Sequence, residues 1–286
     1  MQIVSLQSAV AFGHVGNSAA LLPLQRLGHE VWPIDTVQFS NHPGHGGFRG
    51  RRLPPDHLAE MVEGLAAVGA LDECDGLLSG YLGTAGAAEV AAGAISRIRA
   101  ANPAALYLCD PVMGDFPGGL YVDPALPEAF RRLLLPLADL ITPNRFELEV
   151  LAGAPVDDRA AAEAAARRLL GRDGAGPRAV VVTGLPAGED ALTVLAVTAG
   201  DGWRIDSPRL PFAPEPSGTG DLLAALLFGH LLAGRPLPEA LALAVSGLHA
   251  VLERTRAEGR RELALVAAQA AMIDPPRRFA AVPLPS

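Results

Sequence analysis

Short apolar runs of strand length alternate with longer stretches of helical periodicity along this chain, and few architectures accept that pattern. A strand followed by a helix and another strand makes a βα unit. Its crossover demands parallel pairing and lays helices over a sheet. The pattern predicts strands over residues 2–8, 30–37, 76–79, 105–110, 139–142 and 179–183, with a terminal hairpin of 191–198 and 202–206. Helices are expected over 17–28, 55–71, 84–101, 127–135, 145–151, 157–170, 220–233, 238–255 and 258–272. Two Gly- and Pro-rich stretches without periodicity, 40–55 and 112–122, are expected as long loops, which in compact domains are often functional. The expected fold is α/β with a mostly parallel central sheet and helices on both faces.

With 286 residues, half of them apolar, the chain can bury a sizeable core, and one domain over 1–286 is expected because no linker or repeat interrupts it. A net charge of −8 excludes a broad basic face for nucleic acid or anionic membrane. All 23 basic residues are Arg. Without Lys there is no Walker P-loop, and no internal Schiff base with pyridoxal phosphate. Cys74 and Cys109 lie in strand-like contexts and are expected as buried thiols of a cytoplasmic protein. Residues 1–8 carry no basic leader, and the longest apolar stretch, 222–234, is too short to span a bilayer.

In open parallel sheets, ligands bind beyond the carboxyl ends of the strands, and here polar clusters follow strand after strand. The sharpest cluster is Ser217-Gly218-Thr219-Gly220-Asp221, running straight into Leu222-Leu223-Ala224-Ala225-Leu226-Leu227. A glycine turn entering an apolar helix offers free N–H groups and the positive end of the helix dipole. Together they form an anion site that needs no Lys. Asp221 beside it can accept a proton from an attacking hydroxyl. An ordinary helix cap has the same composition and competes with this reading.

A second constellation joins Asp110-Pro111-Val112-Met113-Gly114-Asp115 with Thr142-Pro143-Asn144-Arg145-Phe146-Glu147. Three carboxylates, a hydroxyl and an amide suit a hard cation such as Mg²⁺. The same residues also suit turns and a capping box. Gln7-Ser8 with Gly13-His14-Val15-Gly16-Asn17 forms a third cluster, fit for a polar ring substituent. Tyr81 and Tyr121 are candidates to flank a flat ligand. His42, His45 and His57 lack the spacing of a zinc site.

These pieces, in this order, resemble the pyridoxal kinase family, in particular its bacterial type, within the ribokinase superfamily. The resemblance is carried by residues 7–20, Thr36 through His42, Ser79-Gly80-Tyr81, residues 109–115, Thr142-Pro143-Asn144 and the superfamily motif Gly218-Thr219-Gly220-Asp221. It implies a ribokinase-like three-layer fold and a homodimer. The implied activity is ATP-dependent phosphorylation of the 5′-hydroxyl of pyridoxal, with Mg²⁺ and a monovalent cation. Carried over position by position, Asp221 is the base, and the amides of Gly218, Thr219, Gly220 and Asp221 hold the transferring group. Ser8, Val15, Val37, Phe39, His42, Tyr81 and Tyr121 face the vitamin. Asp115, Asn144, Glu147 and Thr183 face the nucleotide, and Asp110, Thr142 and Glu147 lie near the metal. The chain departs from the pattern at Pro43, where many relatives carry Thr. A lost hydrogen bond there costs about 0.5–1.5 kcal/mol of ring binding. A hydroxymethylpyrimidine kinase, and a protein that only binds pyridoxal phosphate, are the alternatives.

Overall fold

The computed structural model describes residues 1–171 and 174–285. Its strands are β1 (Gln2–Phe12), β2 (Glu30–Asn41), β3 (Gly50–Arg52), β4 (Gly76–Ser79), β5 (Leu106–Cys109), β6 (Gly114–Asp115), β7 (Gly119–Leu120), β8 (Leu140–Ile141), β9 (Ala179–Pro186), β10 (Ala191–Thr198), β11 (Gly202–Pro208) and β12 (Val282–Pro283). Its α-helices are α1 (Asn17–Arg26), α2 (Pro55–Ala67), α3 (Ala85–Ala101), α4 (Leu126–Ala129), α5 (Arg145–Ala152), α6 (Arg159–Leu169), α7 (Thr219–Leu232), α8 (Leu237–Ala257) and α9 (Leu265–Ile273). A turn of π-helix, Phe130–Leu134, continues α4.

One sheet runs in the order β12-β11-β10-β9-β8-β5-β4-β1-β2-β3. Pairing is parallel from β2 through β9 and antiparallel at both margins. Side-chain alternation explains the layers. Val4, Leu6, Leu77, Tyr107, Cys109, Val180 and Val182 point to one face, under α2 to α6. Ile3, Leu78, Leu108, Ala179 and Val181 point to the other, under α1, α7, α8 and α9. Strands covered on both faces read as continuous apolar runs, which is why they stand out in the sequence. Helix α7 is apolar all round because it lies between the sheet, α1 and α8.

Several expected boundaries change. The strands expected over 2–8 and 30–37 run on to Phe12 and Asn41 through a register shift between Gln7 and Ala9. The loop expected over 40–55 contains β3, paired antiparallel with β2. The loop expected over 112–122 carries the β6–β7 pair. The last helix starts at Leu265, because Gly259, at φ +61°, stops the chain just past the end of α8. Residues 258–264 form a connection instead, and they pass close to the β1–α1 turn. Cys74 and Cys109 are free and buried. Among the described residues no helix is long and apolar enough to cross a membrane.

Candidate active site

A cleft of about 670 Å³ opens where β1, β4, β5, β8 and β9 end, and every residue that the family resemblance carries over lines it, whereas of the third cluster only Ser8 and Val15 do. One wall is the turn before α7. Gly218 occupies the cap position at φ +88°, and no side-chain cap hydrogen bond is made there. The first-turn amides therefore stay available to an anion. A Cβ on Gly218 would stand 1.9 Å from the His14 carbonyl oxygen, so only glycine lets the turn rest on the β1–α1 connection. Asp221 follows in the first turn of α7 and lines the cleft. Loss of water raises its pKa, and the Gly16 N–H offsets part of that rise.

Opposite lie the other carboxylates. The Thr142 hydroxyl donates to Asp110 Oδ1 at 2.8 Å. Burial, then the charge of Asp221, pushes Asp110 up to about 8, against the pull of Thr142. Glu147 Oε1 accepts the Met113 N–H at 3.0 Å and Oε2 accepts the Asn144 N–H at 2.9 Å. The Asn144 side chain caps α5 through the Glu147 N–H at 2.9 Å and donates to the Gly114 carbonyl at 2.8 Å. The capping box is real, and it also holds both residues on the cleft wall. Burial and then Asp110 raise the Glu147 pKa well above the ordinary carboxylate range. Carboxylates that raise each other's proton affinity suit a cation between them. Among the described residues no cluster of three or more His, Cys, Asp or Glu forms a ready-made cage. Mg²⁺ binds through one or two carboxylates and completes its shell with water and phosphate. Asp115 and Thr183 line the cleft on the same side, and Thr183 is bridged to Asn144.

At the far end, Ser8 sits where the β1–β2 register slips, buried against Gly16. Val37 and Phe39 follow on β2, with Val15 and His42 beside them. The Thr36 hydroxyl donates to the Tyr81 carbonyl at 2.6 Å. The rings of Tyr81 and Tyr121 lie 6.4 Å apart with their planes 26° off parallel. Pro43 lines the cleft without offering a side-chain donor, as the sequence requires. Sequence reasoning did not assign Arg52, which β3 brings to the cleft, Phe48, which packs on Phe39 just before β3, nor Glu215 and Pro216 before the turn. Ser217 was visible in the motif but carried no role.

A parallel sheet covered on both faces, an uncapped glycine turn opening a buried helix, and carboxylates facing it define a small-molecule kinase of ribokinase-like fold. The Phosphomethylpyrimidine kinase family model matches residues 54–264. Over 98% of this chain and 96% of the relative, the sequence is 49% identical to pyridoxal kinase PdxY of Rubrobacter xylanophilus. It is 47% identical to pyridoxal kinase PdxY of Deinococcus radiodurans, over 98% and 95% of the two chains. The pyridoxal kinase of Leishmania donovani, solved in complex with ADP and pyridoxamine, superposes with a TM-score of 0.92 at 31% identity, covering 99% of both chains. The chain belongs to the pyridoxal kinase family.

Proposed function

We propose that this protein transfers the γ-phosphoryl group of ATP to the 5′-hydroxymethyl group of pyridoxal, pyridoxamine or pyridoxine in vitamin B6 salvage. The observation that supports this reading best is Asp221 beside a turn of free amides at the open ends of the parallel strands. Asp221 takes the proton of the 5′-hydroxyl, whose oxygen forms a bond to the γ-phosphorus as the bond to the β-γ bridging oxygen breaks and ADP leaves. The amides of Gly218, Thr219, Gly220 and Asp221, at the positive end of α7, hold the equatorial oxygens of the transferring group. Ser8 bonds the pyridine ring, and Val15, Val37, Phe39, His42, Tyr81 and Tyr121 enclose it. Asp115, Asn144 and Thr183 face the nucleotide phosphates. Asp110, Thr142 and Glu147 would hold Mg²⁺, which when bound neutralises phosphate charge; a monovalent cation beside it follows from the family resemblance alone.

The chain acts as one kinase unit and, by the same resemblance, as a homodimer. Two free buried thiols support a reducing, cytoplasmic setting. Hydroxymethylpyrimidine phosphorylation is the second reading, favoured by the family model over 54–264. That span leaves out Ser8, Val37 and His42, the groups placed against the ring. An ADP-release assay run with pyridoxal, pyridoxamine, pyridoxine and hydroxymethylpyrimidine tests the choice. Turnover is expected with the B6 alcohols. Faster turnover of the pyrimidine refutes the assignment, and vitamin binding without any ADP release leaves only a binding protein.

A further inference from the structure

One nearly buried carboxylate near the cleft has no part in that scheme. Glu262 lies in the connection between α8 and α9 and is only 8% exposed. Its two oxygens serve two different segments. Oε2 accepts the His14 N–H at 3.3 Å, and Oε1 lies 2.5 Å from His45 Nε2. A Cβ on Gly13 would stand 2.0 Å from Oε2, so the β1–α1 connection reaches the carboxylate only because that residue lacks a side chain. The adjacent Arg261 donates to the Gly44 carbonyl, adding a second tie to the same loop.

Both segments lead to the reacting end of the cleft. The His14 carbonyl is the surface on which Gly218 rests, and the Gly16 N–H bears on Asp221. On the other side, His42 Nδ1 takes the Gly44 N–H at 3.2 Å and lies 3.1 Å from Ser217 Oγ. With a backbone N–H donating to that nitrogen, the Ser217 hydroxyl donates to it as well. The contacts form a closed circuit: Glu262 to His14, His14 to Gly218, Ser217 to His42, and back through Gly44 and His45 to Glu262. The substrate end of the cleft is bounded by this circuit, since Val15, His42, Pro43, Ser217 and Gly218 all line it.

We propose that Glu262 is a positioning residue which, by gripping His14 and His45 together, fixes the spacing between the substrate-covering loop and the turn that holds the phosphoryl group. The proposal rests on the kinase reading of the cleft and adds a residue to it that touches neither substrate nor nucleotide. Losing the grip loosens the alcohol end and leaves the nucleotide wall, built on α5 and β9, as it was.

Glu262→Gln keeps the shape and an acceptor for His14 but removes the charge facing His45; His45→Ala removes the other partner from a partly exposed loop. Each is expected to raise KM for pyridoxal about tenfold, the scale of one hydrogen bond to a charged group. KM for ATP should stay within about twofold of wild type. The double variant should be no worse than either single one, because both remove the same contact. Amide hydrogen exchange should quicken in segments 13–18 and 42–47 of either variant, whether or not it turns over. Unchanged pyridoxal KM, equal rises for both substrates, additive effects in the double variant, or unchanged exchange in the two segments each overturn the proposal. A wild-type enzyme inert toward pyridoxal refutes the kinase reading instead, and the exchange measurement then still decides whether Glu262 holds the two segments.

Discussion

Gly220→Ala separates the needs of the fold from those of the reaction. Gly220 is the second residue of α7, and a Cβ added there meets nothing within 4 Å. In the protein alone the substitution is therefore harmless, and replacing a helical glycine by alanine stabilises by up to about 1 kcal/mol. For a chain of this size that raises Tm by about 2 °C. The free space has another use if the first-turn amides hold a phosphoryl group. An oxygen accepting an N–H sits about 2.9 Å from the nitrogen, whereas a methyl carbon needs about 3.5 Å or more. The new methyl pushes the transferring group off its amides by something on the order of 1 Å, a displacement that costs about 100-fold in rate. The expected variant is slightly more stable than wild type and about 100-fold lower in kcat, measured by melting and by pyridoxal-dependent ADP release. Gly218→Ala is the control in which the two losses travel together. Its φ of +88° and the 1.9 Å approach to the His14 carbonyl cost at least about 1–3 kcal/mol of stability as well as activity. A Gly220→Ala protein with wild-type kcat would refute the placement of the phosphoryl group on this turn.

Two further outcomes follow from the carboxylates. Asp221→Ala should lower kcat at least ~100-fold with KM for pyridoxal little changed, and steady-state kinetics showing near-normal kcat would remove Asp221 from proton transfer. Asp110→Asn should stabilise the metal-free protein at pH 8 and change it little at pH 4. The folded pKa of Asp110 lies above its unfolded value, so the favourable contribution is complete below about pH 3.9 and is lost as pH rises toward about 8. Even half of that shift corresponds to about 3 kcal/mol, or several degrees in Tm at pH 8. Added Mg²⁺ should stabilise wild type more than the variant, and equal stabilisation by melting would count against Asp110 in the cation site.

The central strands and most helices were legible because burial on both faces leaves continuous apolar runs, as at Val180 to Val182, and because Thr84, Asn144 and Asp158 cap helices with their own side chains. The margin of the sheet was not. Gln38, Ser40 and Asn41 continue β2 around Phe39 with polar residues, since this ribbon leaves the two helical layers and has one side toward solvent and cleft. The three residues of β3, all exposed, carry no apolar alternation, so nothing local marks them as a strand. Pairing with β2 alone creates it, and brings Arg52 to the cleft.

The same distinction explains which site residues a sequence can offer. Asp221 and Asp110 sit at a helix start and just past a strand end, and Ser8 at the register slip of β1, where their neighbours in sequence are their neighbours in space. Glu262 has no such signature: it lies in an Arg-Arg-Glu-Leu stretch that reads as helix, and its partners are 248 and 217 residues away. Only the break at Gly259 frees the segment from helical geometry and turns the carboxylate toward the β1–α1 connection. The clue in hindsight was Gly13, whose missing side chain leaves room for a group that sequence proximity does not supply.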